Sequence, residues 1–283
     1  MLAELVAEIG PLWETQRQAE LQARPRQRRI SAGARHKLVF VDRLLATLVH
    51  LRHGVTHDVL GCWFGVDRSA ITRAIGQIRP LLAQRGCRIA PGQRLTTLAE
   101  VIAHLGDNNQ TAILDATEIR VRRPAASTVD HARFVLGKSR INAMKAMVLT
   151  DAHGAVLYCG QVRPGSVANI TQARQSGLLE LLSDTRNVEI LADAGYQGLS
   201  NQTGGQVVTP PRKRRGKYLD DVQWLMAHHD AARHAHAARR RPVEHGIAPL
   251  KNWRALARHY DRRDHLPEIV PAIAGPLSDQ QTA

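Results

Sequence analysis

The spacing of apolar residues predicts a helical first third, a strand-rich middle and a helical tail. The opening stretch places Glu4 and Glu8 among apolar residues, which predicts an amphipathic helix and not a signal peptide. A second apolar series recurs at intervals of three and four, the spacing of one helix face, and Gly54 ends that helix. Its members are Leu38, Val41, Leu44, Leu45, Leu48 and Leu51.

Two short helices around a glycine turn are predicted between residues 54 and 80. Thr56 caps a helix through Phe64, and Asp67 caps a second helix, from Arg68 to Ile78, whose isoleucines face inward. This is the helix-turn-helix pattern, in which the second helix lies in the major groove of DNA. An ordinary helical hairpin is the alternative that the pattern leaves open. The outward residues, which we expect to contact DNA, are Arg68, Ser69, Thr72, Arg73 and Gln77.

From residue 111 the pattern becomes that of strands. The stretch TAILDATEIRVRRP alternates, and AMKAMVLTD and AVLYCGQV flank a short turn, which predicts a hairpin. The stretch NITQARQSGLLELLSD predicts one helix capped by Asn169, and VEILAD predicts another strand. This order predicts a mixed α/β sheet flanked by helices, and it places a domain boundary near residue 100. We expect a small all-α domain over 1–100 and an α/β domain over 101–283.

The tail from residue 217 is predicted to be helical again. Its run HHDAARHAHAARRR raises the question of a metal site. His234 and His236 lie two residues apart, however, and cannot face one ligand on a helix. A solvated basic helix is the interpretation we prefer.

The net charge indicates what kind of molecule the protein binds. The chain has 39 Lys and Arg against 25 Asp and Glu, a net charge of +14, which favours a polyanion and, first of all, nucleic acid. A merely arginine-biased protein is the alternative. Arg28 and Arg29, in the basic run before the first apolar series, are predicted to contact DNA phosphates.

Cysteine content and hydropathy exclude other classes. No apolar run approaches the roughly 18–20 residues that a membrane span needs. The three cysteines are scattered, so they predict neither a zinc ribbon nor a disulfide framework, and they fit a reducing cytoplasm.

Three acids stand out as candidate catalytic residues. Asp115 lies in or at the end of the first strand of the α/β domain, Asp193 ends a later strand, and Glu244 follows Pro242 near the start of a helix. Strand-end carboxylates meet at one sheet edge, where Mg²⁺ or Mn²⁺ is the cation that would hold them together. Two such ions clamp the attacking and leaving oxygens of a phosphodiester. Taken singly, each acid is as well explained as a helix cap, an arginine partner or an edge-strand solubiliser.

The flanks of these acids resemble successive motifs of bacterial insertion-sequence transposases of the DDE superfamily. The matching segments are ILDATEIRVRRP, FVLGKSRINAMKAMVLTDAHGAVL, LADAGYQGL and RRPVEHGIAPLKNWRAL. The resemblance implies a ribonuclease-H-like catalytic domain in which Asp115, Asp193 and Glu244 are the catalytic, metal-binding triad. It also implies that Arg240 and Lys251 contact DNA.

The same resemblance implies partners and a place in the cell. It implies a metal-dependent endonuclease and strand transferase with two Mg²⁺ or Mn²⁺ ions, which binds the terminal inverted repeats of its own element and the target DNA. Two ends must be paired, so we expect a dimer or larger complex on DNA, in the bacterial cytoplasm at the nucleoid and not at a membrane. Two alternatives are a catalytically inactive or domesticated DNA-binding protein and a nuclease without strand transfer.

Overall fold

The computed structural model describes residues 2–23, 37–125, 127, 131–212 and 223–282. The helices in these ranges are α1 (Leu2–Gln22), α2 (Phe40–His53), α3 (His57–Phe64), α4 (Arg68–Gln84), α5 (Leu98–Asp107), α6 (Asn169–Gln175), α7 (Leu178–Asp184), α8 (Leu199–Gln202), α9 (Gln223–Arg240), α10 (Pro242–Lys251), α11 (Arg254–Ala257) and α12 (Leu266–Gln281). The strands are β1 (Cys87–Ala90), β2 (Gln93–Leu95), β3 (Thr111–Val121), β4 (Ala143–Asp151), β5 (Val156–Pro164), β6 (Glu189–Ala192), β7 (Val207–Val208) and β8 (Arg258–His259). No helix in the described ranges is both long enough and apolar enough to cross a membrane.

The helix-turn-helix is formed by α3 and α4, as the sequence predicts. The hydroxyl of Thr56 accepts a hydrogen bond from the backbone N–H of Val59, and Gly65 ends α3 with a φ of 62°. The second helix is longer than predicted, because it continues past Ile78 to Gln84 in spite of an internal proline. Burial of Leu81 and Leu82 against α1 and α12 outweighs the hydrogen bond that the proline removes.

The inward face of α2 differs from the predicted one. Val41 and Leu45 are 41% and 38% exposed, whereas Arg43 is buried in their place. Its guanidinium donates hydrogen bonds to the Leu38 carbonyl at 3.2 Å and to the side chain of Gln77 at 2.9 Å. Arg43, whose hydrogen bonds are satisfied, therefore occupies a core position on α2. Gln77, predicted from the sequence to face outward from α4, also makes a hydrogen bond to α2.

The main sheet has the strand order β5-β4-β3-β6-β7, with β8 added beside β3. The first three strands are antiparallel neighbours, while β6 and β7 run parallel to β3. Order and direction together are those of the ribonuclease-H-like fold expected from the sequence. Helices cover both faces: α5 to α8 lie over one apolar cluster and α10 to α12 over the other.

The predicted helix over residues 169–184 is wrong in two respects. It is broken into α6 and α7 at Ser176 and Gly177, since Gly177 adopts a φ of 80°. The N-cap is Ala168 and not Asn169. The side-chain oxygen of Asn169 instead accepts a hydrogen bond from Lys145 at 3.2 Å, which holds α6 against β4.

The C-terminal helix joins the first and last parts of the chain. α12 packs against α4, β1 and β5, and its Asp279 is only 4% exposed. That carboxylate lies 2.9 Å from the guanidinium of Arg85 and 2.8 Å from that of Arg94. Both arginines also reach Glu8 of α1, so a buried ionic network ties α1, α4, β2 and α12 together.

A second polar link joins α2 to the residues after β8. His50 donates from Nδ1 to the Val55 carbonyl at 2.9 Å, and its Nε2 lies 3.2 Å from a carboxylate oxygen of Asp261. Burial lowers the pKa of His50, but the hydrogen bonds to Asp261 and Val55 outweigh it, so the pKa is raised above its ordinary value. The hydrogen bond from His50 holds the pKa of Asp261 at about 2.

Replacing Asp279 by Asn should destabilise the protein strongly, because it leaves two arginines without their buried carboxylate. Breaking such a buried pair costs about 3–5 kcal/mol. The matched control is Asp264→Asn, whose partner Arg262 and own side chain are 77% and 80% exposed; it should cost less than about 1 kcal/mol. Urea unfolding at pH 7 measures both. Equal losses for the two variants would contradict the network's role.

The link between His50 and Asp261 should make stability depend on pH. Because the folded pKa of His50 is raised, its contribution is complete below about pH 6.5 and is lost as the pH rises through the folded pKa. Because the pKa of Asp261 is lowered to about 2, its contribution is present above about pH 4 and is lost as the pH falls toward that value. The difference in free energy of unfolding between wild type and Asp261→Asn should therefore be larger at pH 5.5 than at pH 8.5. A difference that stays constant or grows between these pH values would show that the link does not carry charge.

Candidate active site

Two of the three candidate acids lie side by side because β3 and β6 are parallel and in register. Leu114 pairs with Ala192, so the next residues, Asp115 and Asp193, follow on adjacent strands. Side chains alternate along a strand, and Ile113 and Leu191, two residues earlier, share one apolar cluster with Val243 of α10. Both carboxylates therefore lie on the sheet face that α10 covers.

A gap in the sheet opens directly at Asp115. On the side of β3 opposite β4, β6 pairs with residues 111–114 and β8 with residues 120–121. Within the described part of the chain, no strand pairs with β3 between these two. A cavity of about 430 Å³ lies here, lined by residues 115–118 of β3 and by Glu244, Ile247, Ala248 and Lys251 of α10. The ammonium of Lys251 donates to the Glu118 carbonyl, one of the backbone groups that the gap leaves free.

Glycine lets α10 approach closely enough to deliver Glu244. Pro242 occupies the first turn of α10, as predicted, and Val243 is buried against the sheet. A Cβ on Gly246 would lie 2.5 Å from the carbonyl oxygen of Gly154, in the turn between β4 and β5. A Cβ on Gly154 would in turn lie 2.3 Å from the carbonyl oxygen of Pro242. Two glycines therefore set the distance between the helix and the hairpin.

The carboxylates influence one another electrostatically. Burial is the main cause that raises the pKa of Asp115, and the negative charges of Asp193 and Glu244 raise it further. The backbone N–H of Ala116 and the guanidinium of Arg240, which lies 3.0 Å from Asp115, oppose that rise. Burial, with the charges of Asp115 and Asp193, also raises the pKa of Tyr196 well above its ordinary value.

Asp193 is held in place by its own turn and by a histidine from α9. Its carboxylate accepts a hydrogen bond from the N–H of Gly195 at 2.8 Å, and a Cβ on Gly195 would lie 2.9 Å from that oxygen. His236 is buried and donates from Nε2 to the carbonyl of Ala192 at 2.9 Å. The prediction of a solvated basic helix is thus wrong for one face of α9, where His236 and Arg240, four residues apart, contact the sheet. That spacing was the signal in the sequence.

The donor set fits a hard divalent cation by its chemistry. Carboxylate oxygens are the ligands that Mg²⁺ and Mn²⁺ prefer. Two buried polar atoms beside Asp115, the Thr117 hydroxyl and Nε of Arg240, have no hydrogen-bond partner among the residues that the structure describes. No three His, Cys, Asp or Glu side chains among the described residues lie close enough to hold a metal ion as they stand. Arg240 is the cation on Asp115 in this arrangement, so a metal ion would have to displace it.

We refer to α4, the second helix of the helix-turn-helix, as the reading helix. Its residues that are predicted to contact DNA lie together on its first turns. Arg68, Ser69, Thr72 and Arg73 are all exposed. Arg68 lies 3.5 Å from Asp58, and the Thr72 hydroxyl makes a hydrogen bond of 2.9 Å with His57 of α3. Arg28 and Arg29 lie outside the described residues.

Comparison with known families matches both parts of the chain. The family of DDE superfamily endonucleases matches residues 114–275, more than half of the chain, and that range contains all three candidate acids. The helix-turn-helix of DDE superfamily endonucleases matches residues 36–88, which contain α2, α3 and α4.

One relative and two solved structures are similar over most of the chain. A protein of Streptomyces albus G named "Putative transposase for insertion sequence element IS112" is 27% identical over 229 residues, 80% of this chain and 75% of that protein. A pre-cleavage Mos1 transpososome matches at 13% identity and a TM-score of 0.21, over 79% of this chain and 82% of the other. A Mos1 transposase paired-end complex with the left transposon end matches at the same identity and score, over 85% and 87%. A TM-score of 0.21 does not support a fold assignment. The ribonuclease-H-like assignment therefore depends on the order and direction of the strands.

Replacing Gly246 by Ala should push α10 away from the β4–β5 turn. Overpacking against backbone costs about 1–3 kcal/mol. The matched control is Gly76→Ala in α4, where nothing lies within 4 Å of the added Cβ; it should stabilise by about 0.4–1 kcal/mol. Urea unfolding of both variants tests this contrast. Stability gained by both would show that the close approach of α10 is not required.

Proposed function

The chain belongs to the DDE superfamily of endonucleases, and we propose that it is a transposase that cuts and joins DNA at the terminal inverted repeats of its own element. The observation that carries this proposal is that acids from three separate elements lie near enough for Asp193 and Glu244 to raise the pKa of Asp115, although among the described residues they do not form a metal site as they stand. Asp115 on β3 and Asp193 directly after β6 follow the last paired residues of these two strands, and Glu244 lines the same cavity as Asp115. Structural acids with separate partners have no reason to meet in this way.

The three carboxylates are the groups that would hold divalent metal ions. When bound, Mg²⁺ or Mn²⁺ supplies a polarised water and neutralises charge on the phosphodiester. Burial is the main cause that raises the pKa of Asp115, and repulsion from Asp193 and Glu244 adds to it; this supports the assignment, since a bound cation would stabilise the ionised carboxylate. In the structure, the guanidinium of Arg240 is the positive charge beside Asp115.

The cationic side chains around the cavity have their own role in the proposal. Arg240, once released from Asp115, is placed to contact a DNA phosphate next to the carboxylates. Lys251 lies two helical turns from Glu244 and lines the same cavity. Burial lowers its pKa to about 8, which still leaves the ammonium charged at neutral pH to hold a phosphate oxygen.

The reading helix and the cavity divide the work in this proposal. Arg68, Ser69, Thr72 and Arg73 contact the inverted repeat, with Arg28 and Arg29 on its phosphates. Hydrolysis of the phosphodiester frees a 3′-hydroxyl at the end of the element. That hydroxyl then attacks a phosphodiester of the target DNA at the same site, and the 3′-oxygen of the target strand leaves. No covalent intermediate with the enzyme is required. Both ends have to be paired, so we propose a dimer or larger complex on DNA, acting at the bacterial nucleoid.

Asp193→Asn should separate this proposal from a protein that only binds DNA. The variant removes one negative charge and one ligand but nearly preserves shape, so it should fold, bind the element's ends and lose almost all cleavage. The measurement is nicking of a duplex that carries an end, whose sequence is found as inverted repeats in the DNA flanking the gene. Wild type should cut with Mg²⁺ or Mn²⁺ and not in EDTA.

Asp184→Asn is the matched control, because Asp184 is exposed on α7 and away from the cavity. It should cut like wild type, and Mn²⁺ should raise the melting temperature of the control but not of Asp193→Asn. Wild type that binds the ends, yet shows neither metal-dependent nicking nor stabilisation by Mn²⁺, would contradict the proposal and favour an inactive DNA-binding protein. Nicking without joining of a supplied 3′-hydroxyl end would favour a nuclease without strand transfer.

A further inference from the structure

A basic cleft lies between the helix-turn-helix and the far end of β3. Its volume is about 510 Å³. The end of α2 and the first residues of α3 and α4 form one wall, and α11, β8 and the two residues after β8 form the other. The cleft is separate from the cavity at Asp115, which is lined by other residues.

Three arginines of this cleft carry positive charge that no carboxylate of the described residues neutralises. Its two carboxylates are already engaged, since Asp58 lies 3.5 Å from Arg68 and Asp261 lies 3.2 Å from His50. The other arginines that line it are Arg122, Arg254 and Arg258, all exposed. Among the described residues, no carboxylate lies within ion-pair distance of these three. An unpaired cluster of this kind attracts an anion.

The three arginines are also held in position. The guanidinium groups of Arg122 and Arg258 both contact the ring of Tyr260, at 5.3 and 5.0 Å from the ring centroid. The stem of Arg254 packs over Gly54, where a Cβ would lie 2.7 Å from its Cγ. Gly54 has a φ of 69°, so it both ends α2 and makes room for this arginine.

We propose that this cleft binds the phosphodiester backbone of the duplex whose bases α4 reads. The inference rests on the proposed function. Arg68, the first residue of α4, lines the cleft, and residues at this end of a reading helix contact base edges while neighbouring groups hold the flanking phosphates. A duplex seated on α4 therefore passes the three arginines.

The cleft also lies on the way to the carboxylates. β8 pairs with β3 at Arg120, five residues beyond Asp115. At about 3.3 Å per residue this is about 16 Å. Measured along the axis of a duplex, at about 3.4 Å per base pair, that length corresponds to about five base pairs. The cleft therefore connects the reading helix to the site of cutting along the β3 edge.

The test is the salt dependence of DNA binding by the full chain in EDTA, where no cutting intervenes. The probe is a 30-base-pair duplex of arbitrary sequence, titrated between 50 and 200 mM KCl. Each of Arg122→Gln, Arg254→Gln and Arg258→Gln should flatten the slope of log K against log[KCl] by about 0.9, because one phosphate contact is lost. Arg254→Lys should keep the slope, since the charge remains. Sequence preference, measured by selection from random duplexes, should be unchanged.

Arg186→Gln is the matched control, because Arg186 is exposed and lies before β6, at the opposite end of the sheet. It should leave the slope as in wild type. Unchanged slopes for the three cleft variants, or an equal change for Arg186→Gln, would overturn the proposal. The proposal would also be overturned if the three cleft variants bound inorganic phosphate or single-stranded RNA more weakly but bound the duplex like wild type. These results are independent of cleavage, so failure here leaves the assignment of the three acids to be judged by nicking alone.

Discussion

The arrangement of the site depends on the parallel, in-register pairing of β3 with β6. A strand has a side-chain period of two, so a slip of one residue would turn Asp193 to the opposite face from Asp115. The register is fixed by burial, because Ile113 and Leu191 share one apolar cluster with Val243. The same contact seats α10. A single patch of apolar packing thus determines the position of all three acids.

Charge is the second constraint on the structure, because both the negative charges of the acids and the positive charges of the arginines have to be balanced. Three acids near one strand repel one another, and the structure offsets this with Arg240 on Asp115. Arginine is used differently elsewhere: the buried Arg85 and the partly buried Arg94 both pair with Asp279 and join α12 to the end of α4 and to β2. Arginines buried in such a network are not available to a ligand on the surface. The count of 39 Lys and Arg therefore overstates the positive surface available for DNA contacts, because ion pairs engage some of these side chains.

Local signals in the sequence predict the elements well and their tertiary contacts poorly. The glycine turn at Gly65, the hairpin of β4 and β5, the strand before Asp193 and the start of α10 at Pro242 were all predictable from propensity and pattern. The inward face of α2 was not, because burial of Arg43 depends on Gln77, 34 residues later. Asn169 had the features of a helix cap, but Lys145, on a neighbouring strand, engages its side chain. The pairing of Arg240 with Asp115, 125 residues apart, carries no local signal at all.

We propose that Asp115, Asp193 and Glu244 together bind the catalytic cation, and cleavage of the protein itself by bound iron measures this directly. Fe²⁺ replaces Mg²⁺ at oxygen-ligand sites, and with ascorbate and peroxide it cuts the polypeptide next to where it is held. Mass spectrometry of the fragments locates the cuts. We expect cuts near residues 115, 193 and 244, suppressed by excess Mg²⁺. Cuts confined to the histidine-rich stretch 228–236, or cuts near only one of the three acids, would contradict it.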